Sequence, residues 1–241
     1  MELLLLGTGN AFTPHGRLWS GALLDGRLLL DCPATALARL REHGVDPGGI
    51  EGIVLSHAHF DHIAGLPFLL LEYRFRVPRD GPLAVACHPG TWGAVQRLID
   101  LAYPGTFPPD LLEGLLLHQP DLTGTVAGIG FHRMPVHHTS HLPCCGYRLS
   151  CGGKTLAYTG DTGPGPELDA LLDGADVALI EVGESRPVGG HCSPAIIREL
   201  AGRFDSTRFL LTHVHEDDGA LGSLEDLSNV HLLSDGERVE L

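Results

Sequence analysis

The sequence predicts an α/β domain whose sheets are covered by helices, and three observations carry this. Of its 241 residues, 43% are hydrophobic and 19% charged, the balance of a chain that folds around a core. Its apolar residues fall in short runs, with 32 Gly and 17 Pro scattered between them as turns instead of pooled in a linker. Strand-like and helix-like runs follow one another with no internal repeat and no low-complexity tract. A chain of this length buries roughly 70–75% of its unfolded surface, so a single domain over residues 1–241 is expected.

Each element has its local reason. Glu2–Leu6 reads as a buried strand running into Gly7-Thr8-Gly9. It has no basic leader and is too short to span a bilayer, so neither a signal peptide nor an anchor is expected. Gly21–Leu24 and Arg27–Asp31 read as strands joined by Asp25-Gly26, a two-residue hairpin signal. Ala34–Glu42 reads as a helix ended by the Gly and Pro between Gly44 and Gly49. Ile53–Leu55 is a short buried strand, Ile63–Tyr73 an apolar helix, Leu83–Cys87 a strand and Thr91–Leu101 a helix. Phe131–Val136 and Tyr147–Ser150 are strands, and Gly152-Gly153 turns the second into Leu156–Tyr158. Asp176–Glu181 is a strand, Pro194–Phe204 a helix with Pro in its first turn, and Arg208–Thr212 a strand. Val230–Leu233 and Arg238–Leu241 are expected to form a closing hairpin around Asp235-Gly236.

Charge narrows the function. Sixteen basic against thirty acidic residues give a net charge of −14. Phosphate backbones and anionic membranes need clustered Lys and Arg, so no nucleic-acid or membrane partner is expected. The densest basic group, Arg74, Arg76 and Arg79, lies beside Glu72 and Asp80 and reads as a solvated face. Cys32, Cys87, Cys144, Cys145, Cys151 and Cys192 form no CxxC pair and read as reduced thiols of a cytoplasmic protein. The outlier is histidine, with 15 residues.

The informative stretch is Leu55-Ser56-His57-Ala58-His59-Phe60-Asp61-His62, of the form HxHxDH after an apolar strand. In extended backbone, residues two apart point to the same side, so His57 and His59 can grip one ion. Asp61 and His62 stand at the bend into the next helix and can face a second ion. A chain of this composition would hold such a match by chance about 0.004 times, against the plainer reading of three surface His in a loop. Further ligand-type residues follow strand ends: Pro135-Val136-His137-His138, Tyr158-Thr159-Gly160-Asp161 and Leu211-Thr212-His213. A carboxylate between two ions can give each an oxygen, and Asp161 is the natural bridge.

With HxHxDH, a third His motif, a TGD Asp and an LTH His, the chain resembles the metallo-β-lactamase fold superfamily over nearly its whole length. The LLGTGNAF opening, GYRL at Gly146–Leu149 and Gly190-His191 resemble its RNase Z and small phosphodiesterase branch most. The resemblance implies a four-layer αββα sandwich with a dinuclear site at one edge. Carried over, His57, His59 and His138 would hold one metal, Asp61, His62 and His213 the other, and Asp161 would bridge them. His137 and His141 remain alternatives to His138, because the spacing from this motif to Gly146 departs from the family's. His191 would protonate the leaving oxygen, against the alternative of a helix-capping loop His, and Glu181 could orient a ligand His. True β-lactamases typically have Cys and no Asp at the second-metal positions. The RNase Z arm that grips tRNA is missing here, since only Arg148 to Gly160 separate Tyr147 from Asp161.

The function implied is a dinuclear metal-dependent hydrolase of small nucleotide-like or other small phosphodiesters, acting through a metal-bridging hydroxide that Asp61 ligates and orients. Two divalent ions are expected, Zn²⁺ first and Mn²⁺ or Fe²⁺ as alternatives. The same site could instead cleave a carboxylic ester, lactone, thioester or sulfate ester, or serve a non-catalytic carrier of the fold. GxSxG, P-loop and dinucleotide fingerprints are absent. The expected partner is a small molecule, with a homodimer left open. The pocket is expected to be built from loops around His15, His88, Tyr103–Phe107 and Glu184–Gly190. By default His15, His43, His118, His132, His215 and His231 themselves go to surface or packing roles, and Asp217-Asp218 to an acidic turn.

Overall fold

Four successive leucines, Leu3–Leu6, show how the chain is layered. A strand sends alternate side chains to opposite faces, and here Leu3 and Leu5 enter one core while Leu4 and Leu6 enter another. Both faces are therefore buried, and an unbroken apolar run replaces an apolar–polar alternation. The structure, a computed structural model, describes residues 1–183, 190–215 and 220–241.

Two seven-stranded sheets stack face to face. The first is built from β1 (Glu2–Gly7), β2 (Gly21–Leu24), β3 (Leu28–Leu30), β4 (Gly52–Val54), β5 (Leu83–Ala86), β6 (Leu116–Gln119) and β14 (Arg238–Glu240), in the order β14-β1-β2-β3-β4-β5-β6. The second takes β7 (Thr123–Val126), β8 (Ile129–Pro135), β9 (Cys145–Cys151), β10 (Lys154–Tyr158), β11 (Val177–Glu181), β12 (Arg208–Thr212) and β13 (Val230–Leu232), in the order β13-β12-β11-β10-β9-β8-β7. Leu3, Leu24, Leu30 and Val54 of the first sheet meet Phe131, Tyr147, Leu156 and Leu179 of the second in a central core. On the outer face of the first sheet, α1 (Ala36–Glu42), α3 (Leu66–Phe75) and α4 (Pro89–Ala102) bury Leu40, Leu69, Leu70, Val95 and Ile99. Outside the second, α6 (Pro166–Leu172) and α7 (Pro194–Arg203) bury Leu168, Leu171, Ile197 and Leu200. This is the αββα sandwich the resemblance implied.

The turns obey their local chemistry. Arg27 N–H closes onto Leu24 O at 3.1 Å across Asp25 (φ 49°) and Gly26 (φ 69°), both left-handed as a type I′ turn requires. At the head of α7, Ser193 Oγ accepts from Ile196 N and Pro194 occupies the first turn. Between the sheets, the Tyr147 hydroxyl lies 2.9 Å from both Leu55 O and Ala86 O, tying β9 to the ends of β4 and β5.

Two expectations need correction. Val230–Leu233 and Arg238–Leu241 do not form a hairpin. β13 pairs with β12 in the second sheet and β14 pairs with β1 in the first, so Asp235-Gly236 carries the chain from one sheet to the other. The Asp235 carboxylate accepts from Thr8 Oγ1 (2.6 Å) and Leu18 N (2.7 Å), long-range bonds that the dipeptide itself does not encode. The helix expected over Ile63–Tyr73 is broken into α2 (Phe60–Ile63) and α3 at Gly65, where a Cβ would lie 2.2 Å from Pro33 O. The sequence reading also missed α5 (Pro109–Leu115), β6, β7 and α6. All six cysteines are free, and no helix of the described residues is long and apolar enough to cross a membrane.

Candidate metal centre

β1, β3 and β4 run one way in the first sheet and β8, β10, β11 and β12 one way in the second. The loops leaving their C-terminal ends gather at one edge of the sandwich, where open α/β sheets place their ligands. β4 delivers Ser56 to His62, β8 leads to His138, β10 to Asp161 and β12 to His213. Gly160 makes the approach possible: at φ 57° its absent Cβ would lie 2.5 Å from Ser56 Cβ.

Two ligand sets meet on Asp161. His57 Nε2 and His138 Nε2 lie 2.8 and 3.2 Å from His59 Nδ1, and both lie 3.8 Å from Asp161 Oδ2. On the other side, His62 Nε2 and His213 Nε2 lie 3.4 and 3.6 Å from Asp61 Oδ2, and 3.5 and 3.3 Å from Asp161 Oδ1. The structure thus brings together all seven residues singled out by the sequence as metal ligands. Of the alternatives, His137 and His141 are exposed, whereas His138 is in the cluster.

Donor chemistry fits a pair of cations. His62 Nε2, His213 Nε2 and Asp161 Oδ1 are buried with no hydrogen-bond partner, a costly state for lone pairs facing one another. Burial lowers the pKa of His57, His59 and His138, which favours the neutral imidazole that a metal needs. Burial works to raise Asp161 and Asp61, but the surrounding His213 and His62 outweigh it and hold both well below the usual carboxylate range. His57, His59 and His138 therefore present neutral nitrogens beside ionised carboxylates, a donor set for divalent ions. At His62 burial works to lower the pKa, but Asp161 and Asp31 outweigh it and push it well up, so there a cation would have to displace a proton.

Behind the ligands stands a residue the sequence reading placed only as a strand end. Asp31, fully buried at φ 57°, accepts from Ser56 N (2.7 Å), Ser56 Oγ (2.6 Å), His62 Nδ1 (2.6 Å) and the Tyr158 hydroxyl (2.6 Å). It fixes the face that His62 turns to the site. One signal was available: an Asp ending an otherwise apolar strand, LLLD, cannot stay buried without donors. Glu181 likewise acts from behind, but on His191: its Oε1 accepts from His191 Nδ1 (2.8 Å) and Thr162 N (2.7 Å). Burial raises the Glu181 pKa against the pull of these bonds. Gly190 O lies 2.9 Å from His138 Nδ1. His191 also offers a ligand atom within 4.8 Å of those of Asp161 and His213.

The centre opens into a cavity of about 270 Å³ whose walls include Asn10, Phe12, His59, Asp61, His191 and His215. His215, assigned to a surface or packing role from sequence, belongs to this wall. His15, His88 and Tyr103–Phe107 do not line it. His88 caps α4 through Nδ1, and Phe107 borders a separate cavity with Trp92 and Leu112. Residues 184–189, expected in the pocket, and Asp217-Asp218 lie outside the described residues.

Comparison with known proteins gives the same family. The model of the β-lactamase superfamily domain matches residues 26–214. The ribonuclease Z of Mycobacterium marinum is 31% identical over 189 residues, covering 73% of this chain and 68% of that protein. Among solved structures, a diphosphatase of the PhnP family superposes with a TM-score of 0.76 at 20% identity, over 100% of this chain and 97% of that one. Zn²⁺-bound PqqB from Methylobacterium extorquens does so with a TM-score of 0.73 at 17% identity, over the full length of both.

Proposed function

We propose that this chain, which belongs to the β-lactamase superfamily and within it to the ribonuclease Z-like branch of metal-dependent hydrolases, uses two divalent metal ions to hydrolyse small phosphodiesters. The observation that carries the reading is Asp161, whose two oxygens each face a separate His-rich ligand set. His57, His59 and His138 would hold one ion and Asp61, His62 and His213 the other, with Asp161 shared. Zinc suits these nitrogen and carboxylate donors, and the fold-related PqqB binds it. Six free cysteines favour a reducing compartment, hence the cytoplasm.

When bound, two such ions supply a nucleophilic water of lowered pKa and a Lewis acid for the substrate's phosphoryl oxygen. The chain's own groups supply the rest. Asp61 lines the cavity, and its carboxylate would orient the attacking water as well as hold an ion. His191 has Nδ1 held on Glu181, so Nε2 is the atom that gives a proton to the leaving oxygen. His138, with Nδ1 on Gly190 O, keeps Nε2 turned to the ligand set.

Three observations support a small substrate over tRNA. The net charge is −14 with a single Lys, whereas each phosphate of a large RNA calls for a placed cation. β9 and β10 are joined by Gly152-Gly153 alone, which leaves no arm between them. The cavity is of small-ligand size. Metal-loaded protein should hydrolyse bis(p-nitrophenyl) phosphate and leave a precursor tRNA uncut at low salt, where electrostatic binding is strongest. p-Nitrophenyl acetate and a lactone, run beside them, test carboxylic-ester chemistry. Position-specific cleavage of the precursor tRNA, or hydrolysis of the esters and not the diester, overturns the proposal.

A further inference from the structure

Two aromatic side chains at the mouth of the site stand exposed where burial would have been favourable. Phe12 is 77% exposed and Phe60 68%, so each forgoes most of the stabilisation its burial would bring. Of the other large exposed rings, Phe75 carries the Arg74 guanidinium 5.0 Å from its centroid, and Phe68 meets Tyr103 edge-on. Phe12 and Phe60 instead flank one short stretch of the rim. Phe12 lines the cavity over the ligand cluster, and Phe60 lines an adjoining cleft with Trp19, Ala34 and Ala64. The cavity and the cleft share Ala11 and Asp61.

Both rings sit on fixed mounts. Phe12 N–H donates to Asn10 Oδ1 (3.0 Å), and Asn10 N–H to Val214 O (3.2 Å), one residue from the ligand candidate His213. Trp19 Nε1–H donates to Ala11 O (3.3 Å), and Gly9 bridges both Trp19 and Val214. The Phe12 ring meets His215 edge-on with centroids 5.8 Å apart. Phe60 opens α2 between two candidate ligands, His59 and Asp61. Pinned backbone under exposed rings is a binding surface with little ordering left to pay for. Among the described residues, no Lys or Arg lines the cavity or the adjoining cleft, and the side chains they offer a substituent beyond the ligand cluster are largely apolar or aromatic.

We infer that Phe12 and Phe60 form an aromatic rim that holds a planar substituent of the substrate, so that aryl or nucleoside phosphodiesters are preferred over alkyl ones. This rests on the phosphodiester reading above and names its substrate class. Stacking on an aromatic side chain tolerates any flat π-face, and phenyl and nucleobase groups share that chemistry.

The test compares methyl, phenyl and thymidine 5′ esters of p-nitrophenyl phosphate, which share one leaving group. For wild type, kcat/KM should be higher for the phenyl or thymidine ester than for the methyl ester, and thymidine ahead of phenyl identifies a nucleoside substrate. In Phe12→Ala that preference should fall about tenfold, and in Phe60→Ala in the same direction, by loss of stacking. Comparing ratios cancels general damage to the site. A binding readout stands apart from turnover: 4-nitrobenzylphosphonate, whose P–C bond is not hydrolysed, should quench Trp19 fluorescence in a Trp92→Phe background. Phe12→Ala should weaken its Kd about tenfold and leave that of competing methylphosphonate unchanged. An unchanged ester preference with an unchanged Kd overturns the rim. Inactivity of wild type on all three diesters overturns the proposed function instead, and the phosphonate titration then still decides the rim.

Discussion

Replacing Asp31 by Asn tests how far the buried network behind the site controls the metal. The exchange keeps the size of the side chain and changes one oxygen into a donor. Oδ2 takes three donors, Ser56 Oγ, His62 Nδ1 and the Tyr158 hydroxyl, whereas Oδ1 takes only Ser56 N. The amide oxygen will therefore turn to the Oδ2 position, setting its NH₂ against the Ser56 N–H. Two buried donors facing each other without an acceptor cost about 2–6 kcal/mol at about 1–3 kcal/mol each, which in a chain of this length lowers Tm by about 4–24 °C. A neutral oxygen also pulls less on the His62 Nδ1–H, so Nε2 becomes a weaker donor and zinc affinity should drop about 10- to 100-fold. Ala is the wrong substitution: it strands four donors at once, a loss comparable with a whole domain's stability of about 5–15 kcal/mol. Tyr158→Phe is the control, because it removes one donor without adding another and should cost about 1 kcal/mol. Chelator competition measures affinity and thermal unfolding of metal-free protein measures stability. Asp31→Asn with wild-type zinc affinity would refute the argument that Asp31 acts through His62.

Other substitutions separate the remaining roles. Asp161→Ala should lose at least one metal and nearly all activity, because among the described residues no second carboxylate faces both ligand sets; elemental analysis showing two ions retained would contradict this. His138→Ala should damage metal binding far more than His141→Ala, since His141 is exposed with its N–H on Thr139 Oγ1; the reverse order would move the third ligand to His141. His191→Ala should keep its metal and lose about 10²- to 10⁴-fold in turnover, less for leaving groups as good as p-nitrophenolate; loss of metal would place His191 among the ligands, as its position near Asp161 and His213 allows. At least one ion should stay bound down to pH 6.5, the ordinary histidine value, because burial lowers the pKa of His57, His59 and His138; loss of all metal above that value in a chelator-buffered titration would mean that protons reach these nitrogens more easily than burial allows.

The sequence by itself determined the layering and named the candidate ligands. Runs such as Leu3–Leu6 and Val177–Ile180 are apolar at every position because each strand lies between two cores, and this is legible wherever both faces are buried. HxHxDH was legible because its residues are neighbours in the chain, and the ligands after β8, β10 and β12 because each ends an apolar run. Elements that are short or half-exposed, such as α5, β6 and β7, gave no periodic signal. Only the tertiary structure decided what depends on residues far apart in sequence. It sent Asp235-Gly236 between sheets instead of into a hairpin, through bonds to Thr8 and Leu18. It placed His138 in the histidine cluster and left His137 and His141 exposed, by closing the second sheet's edge against Ser56–His62. It gave Asp31 its four donors, drawn from β10 and from the loop after β4, and it set Phe12 and His215 on the cavity and Phe60 on the cleft beside it. Local pattern fixes which face of a strand or helix is buried; which loops meet at the edge of a sandwich follows from how its sheets are stacked, and no local pattern records that.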